Sequence, residues 1–162
     1  MFIAELTGPA ERIGAILRDR GETVGVAEGS AGGLISAALL SVPGASKYYL
    51  GGAVIYTGAA VKTWVSGAIE RPAELRGATE AFANYLARST VVRLGSTWAI
   101  GEAGAAGPAN PYGDPAGHTW LAIAGPTEST RRILTGLDVR PDNMMAFALA
   151  ALALFEETLA AA

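Results

Sequence analysis

A short apolar run over residues 23–27 meets Glu28, passes through Gly29-Ser30-Ala31-Gly32-Gly33 and enters an apolar helical pattern at Leu34. Strand, tight turn and helix start in direct succession constrain the chain to an α/β arrangement. The helix has to fold back over the sheet that its own strand joins. The turn itself admits two readings. Its backbone N–H groups sit at the positive end of a helix dipole, which suits an anion or an oxygen gaining negative charge. It is equally a βα loop that uses glycine for geometry and Ser30 as the helix N-cap.

The remaining periodicity extends this arrangement. Residues 9–20 read as a helix with Ala10, Ile13, Ile16 and Leu17 on one face, capped by Thr7 and closed by Arg20-Gly21. A helix over 33–41 stops at Pro43-Gly44, and a strand over 48–56 carries a glycine pair that permits a bulge. A short helix within 57–67 carries Lys62 and Trp64, and an amphipathic helix spans 79–94. Strands are expected over 96–103, 118–124 and 129–134, the last two as a hairpin around Gly125-Pro126, before a final helix over 141–159. The order α-β-α-β-α-α-β-β-β-α predicts a single α/β domain over residues 1–162. Its form would be a three-layer α/β/α sandwich with a mostly parallel mixed sheet containing one antiparallel strand.

Composition narrows the chemistry. With no cysteine among 162 residues, disulfides, thiol nucleophiles and thiolate metal sites are excluded. The single histidine, His118, argues against a histidine-based zinc site and a Ser–His–Asp triad, so no metal and no cofactor are expected. A net charge of −3 without a basic run gives no footing for nucleic acid. The N-terminal Met1-Phe2-Ile3-Ala4-Glu5 lacks the pattern of a secretory signal. The longest apolar run, residues 144–155, falls short of the roughly 20 residues that a membrane span needs. The expectation is a cytoplasmic protein that meets no membrane.

A second glycine-rich loop, 104–117, leaves the strand that carries Glu102. In an open α/β sheet, ligands sit beyond the carboxyl ends of the strands, where both loops would face one crevice. Glu28 and Glu102 precede the two loops. Paired carboxylates in different environments can act as general acid and base. Alternatively, each carboxylate holds a neighbouring loop through backbone N–H groups.

Four separated segments, in order, resemble a known family. Ala27-Glu28-Gly29-Ser30-Ala31-Gly32-Gly33-Leu34, Val42-Pro43-Gly44-Ala45-Ser46, Gly51-Gly52-Ala53-Val54-Ile55-Tyr56 and Ala106-Gly107-Pro108 with Pro115-Ala116-Gly117-His118-Thr119-Trp120 look like the C-terminal domain of the CinA competence/damage-inducible proteins. No molybdopterin-type domain precedes them, so a stand-alone form is expected. The resemblance implies an α/β/α sandwich, a homodimer or higher homo-oligomer, and an amidohydrolase converting nicotinamide mononucleotide and water to nicotinate mononucleotide and ammonia. In such a site a serine activated by a lysine is the natural pairing.

Carried over position by position, the resemblance is incomplete. The family run Glu-Ser-Cys/Ser-Thr-Gly-Gly keeps Glu28, Gly32 and Gly33, but has Gly29 for the first serine, Ser30 at the next position and Ala31 for threonine. Tyr56 and Lys62 match the family tyrosine and lysine with one added residue, Val61, between them. Ala103 replaces a threonine, and Met144 stands near a family arginine, while Asp138 and Arg140 match an acidic–arginine pair. Three function classes follow. The first is a nucleotide amidohydrolase with Ser30 and Lys62 catalytic, Tyr56 orienting, and Gly32, Gly33, Gly104, Gly107 and Arg140 binding substrate. The second is a non-catalytic nucleotide-binding or regulatory member. The third is a hydrolase using Glu28 and Glu102 as an acid–base pair.

Overall fold

Residues 4–162 are described in a computed structural model of the chain. Met1, Phe2 and Ile3, part of the stretch read for a leader, lie outside the described residues. Five helices and five strands follow in the order α1 (Ala4–Arg20), β1 (Val24–Glu28), α2 (Leu34–Leu40), β2 (Tyr49–Val54), α3 (Gly58–Trp64), α4 (Glu80–Leu94), β3 (Trp98–Ala105), β4 (His118–Ala124), β5 (Ser129–Leu134) and α5 (Arg140–Ala161). One 3-10 turn, Ala45–Lys47, leads into β2.

The strands form one sheet in the order β2-β1-β3-β4-β5. β1 runs parallel to β2 and β3, whereas β3–β4 and β4–β5 pair antiparallel. β4 is therefore the one reversed strand, as the hairpin around Gly125-Pro126 required. The glycine pair of β2, Gly51 and Gly52, faces Gly25 and Val26, just past a register irregularity between Val24 and Gly25. α1 begins at least five residues ahead of the expected start, with Pro9 inside it and Thr7 within the helix rather than capping it. Pro9, at the sixth helical position, lacks the N–H that would bond the Glu5 carbonyl one turn back, and its fixed φ is compatible with the helix.

Alternation along β1 and β3 sends Val24, Val26, Trp98 and Ile100 to one face, into a core shared with α1, α2 and α5. The other face holds Ala27 and Ala103 against α4, with Leu86 and Ala87. Three layers result. By length and composition alone α5 could cross a membrane. Its stripe of Phe147, Ala148, Ala151, Leu152, Phe155 and Leu159 is instead fully buried in the first core, so it packs here as a core helix.

Candidate functional site

Parallel register sets Glu28 directly beside Glu102 on neighbouring strands. The two carboxylates stand side by side, but each is already enclosed by donors, as in the alternative reading of a carboxylate that holds a neighbouring loop through backbone N–H groups. Glu28 accepts the Ile35 N–H at 3.1 Å, the Ser36 N–H at 2.9 Å and the Ser36 hydroxyl at 2.6 Å. Glu102 accepts the Gly29 N–H at 3.0 Å, the Ala31 N–H at 2.8 Å, the Thr119 hydroxyl at 2.6 Å and the Ser30 hydroxyl. Both are fully buried. Burial pushes the Glu102 carboxyl above its ordinary pKa, and the bonds from Ser30, Thr119 and the Ala31 N–H oppose that rise.

Two expectations about the turn are corrected by this geometry. The helix residue at the N-cap is Gly33, with φ +97°, not Ser30. The helix N-terminus is not an open anion cradle, because the protein's own Glu28 carboxylate satisfies its first donors. An internal carboxylate at that position supplies the negative charge that the dipole favours. Ser30 itself is 3% exposed. Its replacement by alanine is expected to cost about 1 kcal/mol of stability, one hydrogen bond to a retained acceptor. A denaturant titration reads that change.

Beyond the turn lies a cleft of about 250 Å³ lined by Ser30, Tyr56, Arg140 and the segment from Gly104 to Gly107 and Pro108. Arg140, at the start of α5, donates to the Gly107 carbonyl at 2.5 Å and to the Tyr56 hydroxyl at 2.9 Å, with its guanidinium 5.7 Å from the Tyr56 ring centre. Asn143, one turn along, is fully buried and donates to the Ala106 and Leu137 carbonyls at 2.8 and 2.9 Å. The start of α5 thereby holds the second glycine loop against the end of β2.

Tyr56 also lines a second, larger cleft of about 480 Å³ together with Lys62, Arg71, Arg76, Phe82 and Tyr112. Arg76 pairs with Asp114 at 2.7 Å and lies 5.3 Å from the Tyr112 ring centre, so it pins the 110–114 turn to the cleft wall. Among the described residues, no hydrogen bond or ion pair joins Lys62 to Ser30. The two line different clefts on either side of Tyr56.

Comparison with known proteins places this arrangement. The family model of the CinA C-terminal domain matches residues 7–159. The chain belongs to the CinA C-terminal domain family. A CinA-like protein of Salinibacter ruber is 38% identical over 142 residues, covering 86% of this chain and 34% of that protein. One from Synechococcus elongatus is 34% identical over 119 residues, covering 73% and 28%. The chain thus spans about a third or less of the length of these curated relatives. A crystal structure of a CinA superfamily protein from Klebsiella pneumoniae has a TM-score of 0.88 at 25% identity, over 97% of this chain and 99% of that one.

Within this CinA-type domain, Ser30, Tyr56, Gly104, Gly107 and Arg140 come together at one cleft, while Lys62 falls outside it. Gly32 and Gly33 hold the left-handed turn, with φ +68° and +97°, rather than lining that cleft. A Cβ at Gly32 would stand 2.6 Å from the Met144 methyl. The methionine near a family arginine position therefore covers the turn with an apolar group. Sequence reasoning missed Asn143, Arg71 and Arg76. Asn143 lies in the polar first turn of α5, just ahead of the apolar run 144–155, where nothing local separates it from its polar neighbours; the two arginines lie in an aperiodic stretch.

His118 packs inside, and among the described residues neither ring nitrogen has a hydrogen-bond partner. Burial, then the charge of Arg132, hold its pKa below the ordinary 6.5. Below 6.5 the unfolded chain takes up a proton that the folded domain resists, so stability is retained above that pH and lost as pH falls through it. His118→Phe should remove this acid-side loss, read as a flatter difference between unfolding curves measured on either side of 6.5. An unchanged slope would remove His118 from the account.

Proposed function

We infer that this CinA-type domain binds a small phosphorylated nucleotide across the two clefts that meet at Tyr56, and that it does so without a serine–lysine amidohydrolase centre. One observation carries the reading: the Ser30 hydroxyl is buried and given to Glu102, while Lys62 lines the other cleft. A serine nucleophile needs its proton taken by a base as it attacks. A lysine on the far side of Tyr56 cannot receive it without rearrangement. Gly29, at the family serine position, has no hydroxyl to offer.

What recommends a nucleotide is the mixture of surfaces. Tyr56, Phe82 and Tyr112 present aromatic area and Lys62, Arg71 and Arg140 present positive charge, in concavities that no carboxylate lines among the described residues. Pockets with apolar walls and a few convergent polar groups suit small-molecule recognition. Calorimetric titration with nicotinamide mononucleotide should give one saturable site that Tyr56→Ala weakens about tenfold or more, since the ring borders both clefts. Absence of saturable binding, or wild-type affinity in Tyr56→Ala, would count against the reading.

A second reading rests on the Ser30–Glu102 hydrogen bond, in which Glu102 is the base for a shifted nucleophile. Its carboxylate, however, also holds two backbone N–H groups and Thr119. Burial favours taking the Ser30 proton and the four bonds oppose it, and a protonated Glu102 would give up part of the acceptor capacity that holds the turn.

A further inference from the structure

We propose that the phosphate end of the ligand is held by Lys62 and Arg71, on the side of Tyr56 away from Ser30. This rests on the reading of the clefts as a nucleotide site. It gives Lys62 the task of an anion anchor in place of a base, and moves the phosphate away from Arg140.

The charge distribution argues for it. Among the described residues, ion pairs use Arg12, Arg76, Arg88 and Arg131. Lys62 and Arg71 stand in none of them, although both line one concave site of about 480 Å³ in a chain of net charge −3. Among the described residues, no carboxylate lines that cleft. Two cations facing one cavity without a counter-charge repel each other, and an anion between them relieves the repulsion. Arg71 offers a planar fork of donors and Lys62 a compact point charge, a combination suited to a phosphoryl group with several oxygens.

The other cations are less available. Arg76 is neutralised by Asp114 and shapes the wall beside Tyr112. Arg140 spends one terminal nitrogen on the Gly107 carbonyl and the other on the Tyr56 hydroxyl. It is a positioning residue that keeps the loop and the ring in place. With the phosphate at Lys62 and Arg71, the ring end of a nucleotide extends past Tyr56 towards Ser30 and the Gly107-Pro108 segment.

The test is titration calorimetry with inorganic pyrophosphate and, separately, nicotinamide mononucleotide, on the wild type, Lys62→Gln/Arg71→Gln and Arg140→Gln. Both substituted cations are exposed, so folding should survive, and melting curves with the conservative Lys62→Arg/Arg71→Lys variant control for it. Pyrophosphate is expected to bind the wild type, more weakly as salt rises, and to lose about tenfold or more in the double glutamine variant. The conservative variant should recover most of that loss. No pyrophosphate binding, or equal binding in Lys62→Gln/Arg71→Gln, overturns the proposal. Mononucleotide binding that falls in Arg140→Gln and not in the double variant also overturns it, while leaving the nucleotide reading standing. Loss of pyrophosphate in the double variant, with mononucleotide binding no tighter than pyrophosphate, supports the anion anchor and overturns the nucleotide reading instead.

Discussion

Glu102→Ala is expected to lower the unfolding free energy by about 4 kcal/mol, or roughly 8–16 °C in melting temperature for a domain of this size. Glu102 is fully buried; alanine would strand the Ala31 N–H, leave the Gly29 N–H with only the main-chain carbonyl of residue 102 that it already shares, and open a cavity where the carboxylate sat. Each buried donor left without an acceptor costs about 1–3 kcal/mol. The other oxygen, Oε1, takes the hydroxyls of Ser30 and Thr119. A hydroxyl can turn and accept instead. Glu102→Gln should therefore be mild, its carbonyl serving the two N–H groups and its amide donating to the hydroxyls. Glu28→Gln should be worse. Each Glu28 oxygen takes at least one backbone N–H, Ile35 on one and Ser36 on the other, so an amide nitrogen faces a donor whichever way it turns. Thermal melts of the three variants check the ranking; Glu102→Gln as damaging as Glu102→Ala would mean the carboxylate charge, not its acceptor geometry, holds the turn.

Gly101→Ala is expected to lower the unfolding free energy by about 3 kcal/mol or more, with a matching fall in soluble yield. A Cβ there would stand 2.1 Å from the Ala83 carbonyl oxygen and 2.8 Å from the Ala87 nitrogen, both backbone atoms of α4. Neither can rotate away, so the helix must lift off the sheet along the face where Leu86 and Ala87 are buried. Overpacking of a well-filled core costs about 1–3 kcal/mol or more, and backbone-on-backbone conflict belongs at the upper end. Gly25→Ala meets the Leu94 and Thr90 side-chain ends at 2.6 and 2.8 Å on the same face. Side chains can change rotamer there, so its loss should be clearly smaller. Soluble yield and melting temperature of the pair separate the cases; equal tolerance would show that α4 is free to shift.

Much of the fold was legible because it is written in short-range periodicity. The strands over 118–124 and 129–134 and the turn between them coincide with β4 and β5. β3 runs on to Ala105, beyond the expected 103, because Gly104 and Ala105 carry no side-chain signal that separates strand from loop. The proximity of Glu28 and Glu102 followed from the α/β pattern. Their role as acceptors for backbone N–H groups was one of the two readings the sequence left open; which groups Glu102 holds was not legible, since they lie 71 to 73 positions away. Lys62 shows the limit most clearly. Matching motifs set it on the right helix, yet which cleft α3 turns towards depends on packing that no local pattern encodes. The cations Arg71 and Arg76, in an irregular stretch, were invisible for the same reason.

The most direct test of the central claim is ammonia release from nicotinamide mononucleotide, followed at high protein concentration for the wild type, Ser30→Ala and Glu102→Gln alongside their binding curves. The account predicts saturable binding in all three with no ammonia above the protein-free control. Ammonia release that Ser30→Ala abolishes would contradict it, and would make Ser30 the nucleophile of a working amidohydrolase.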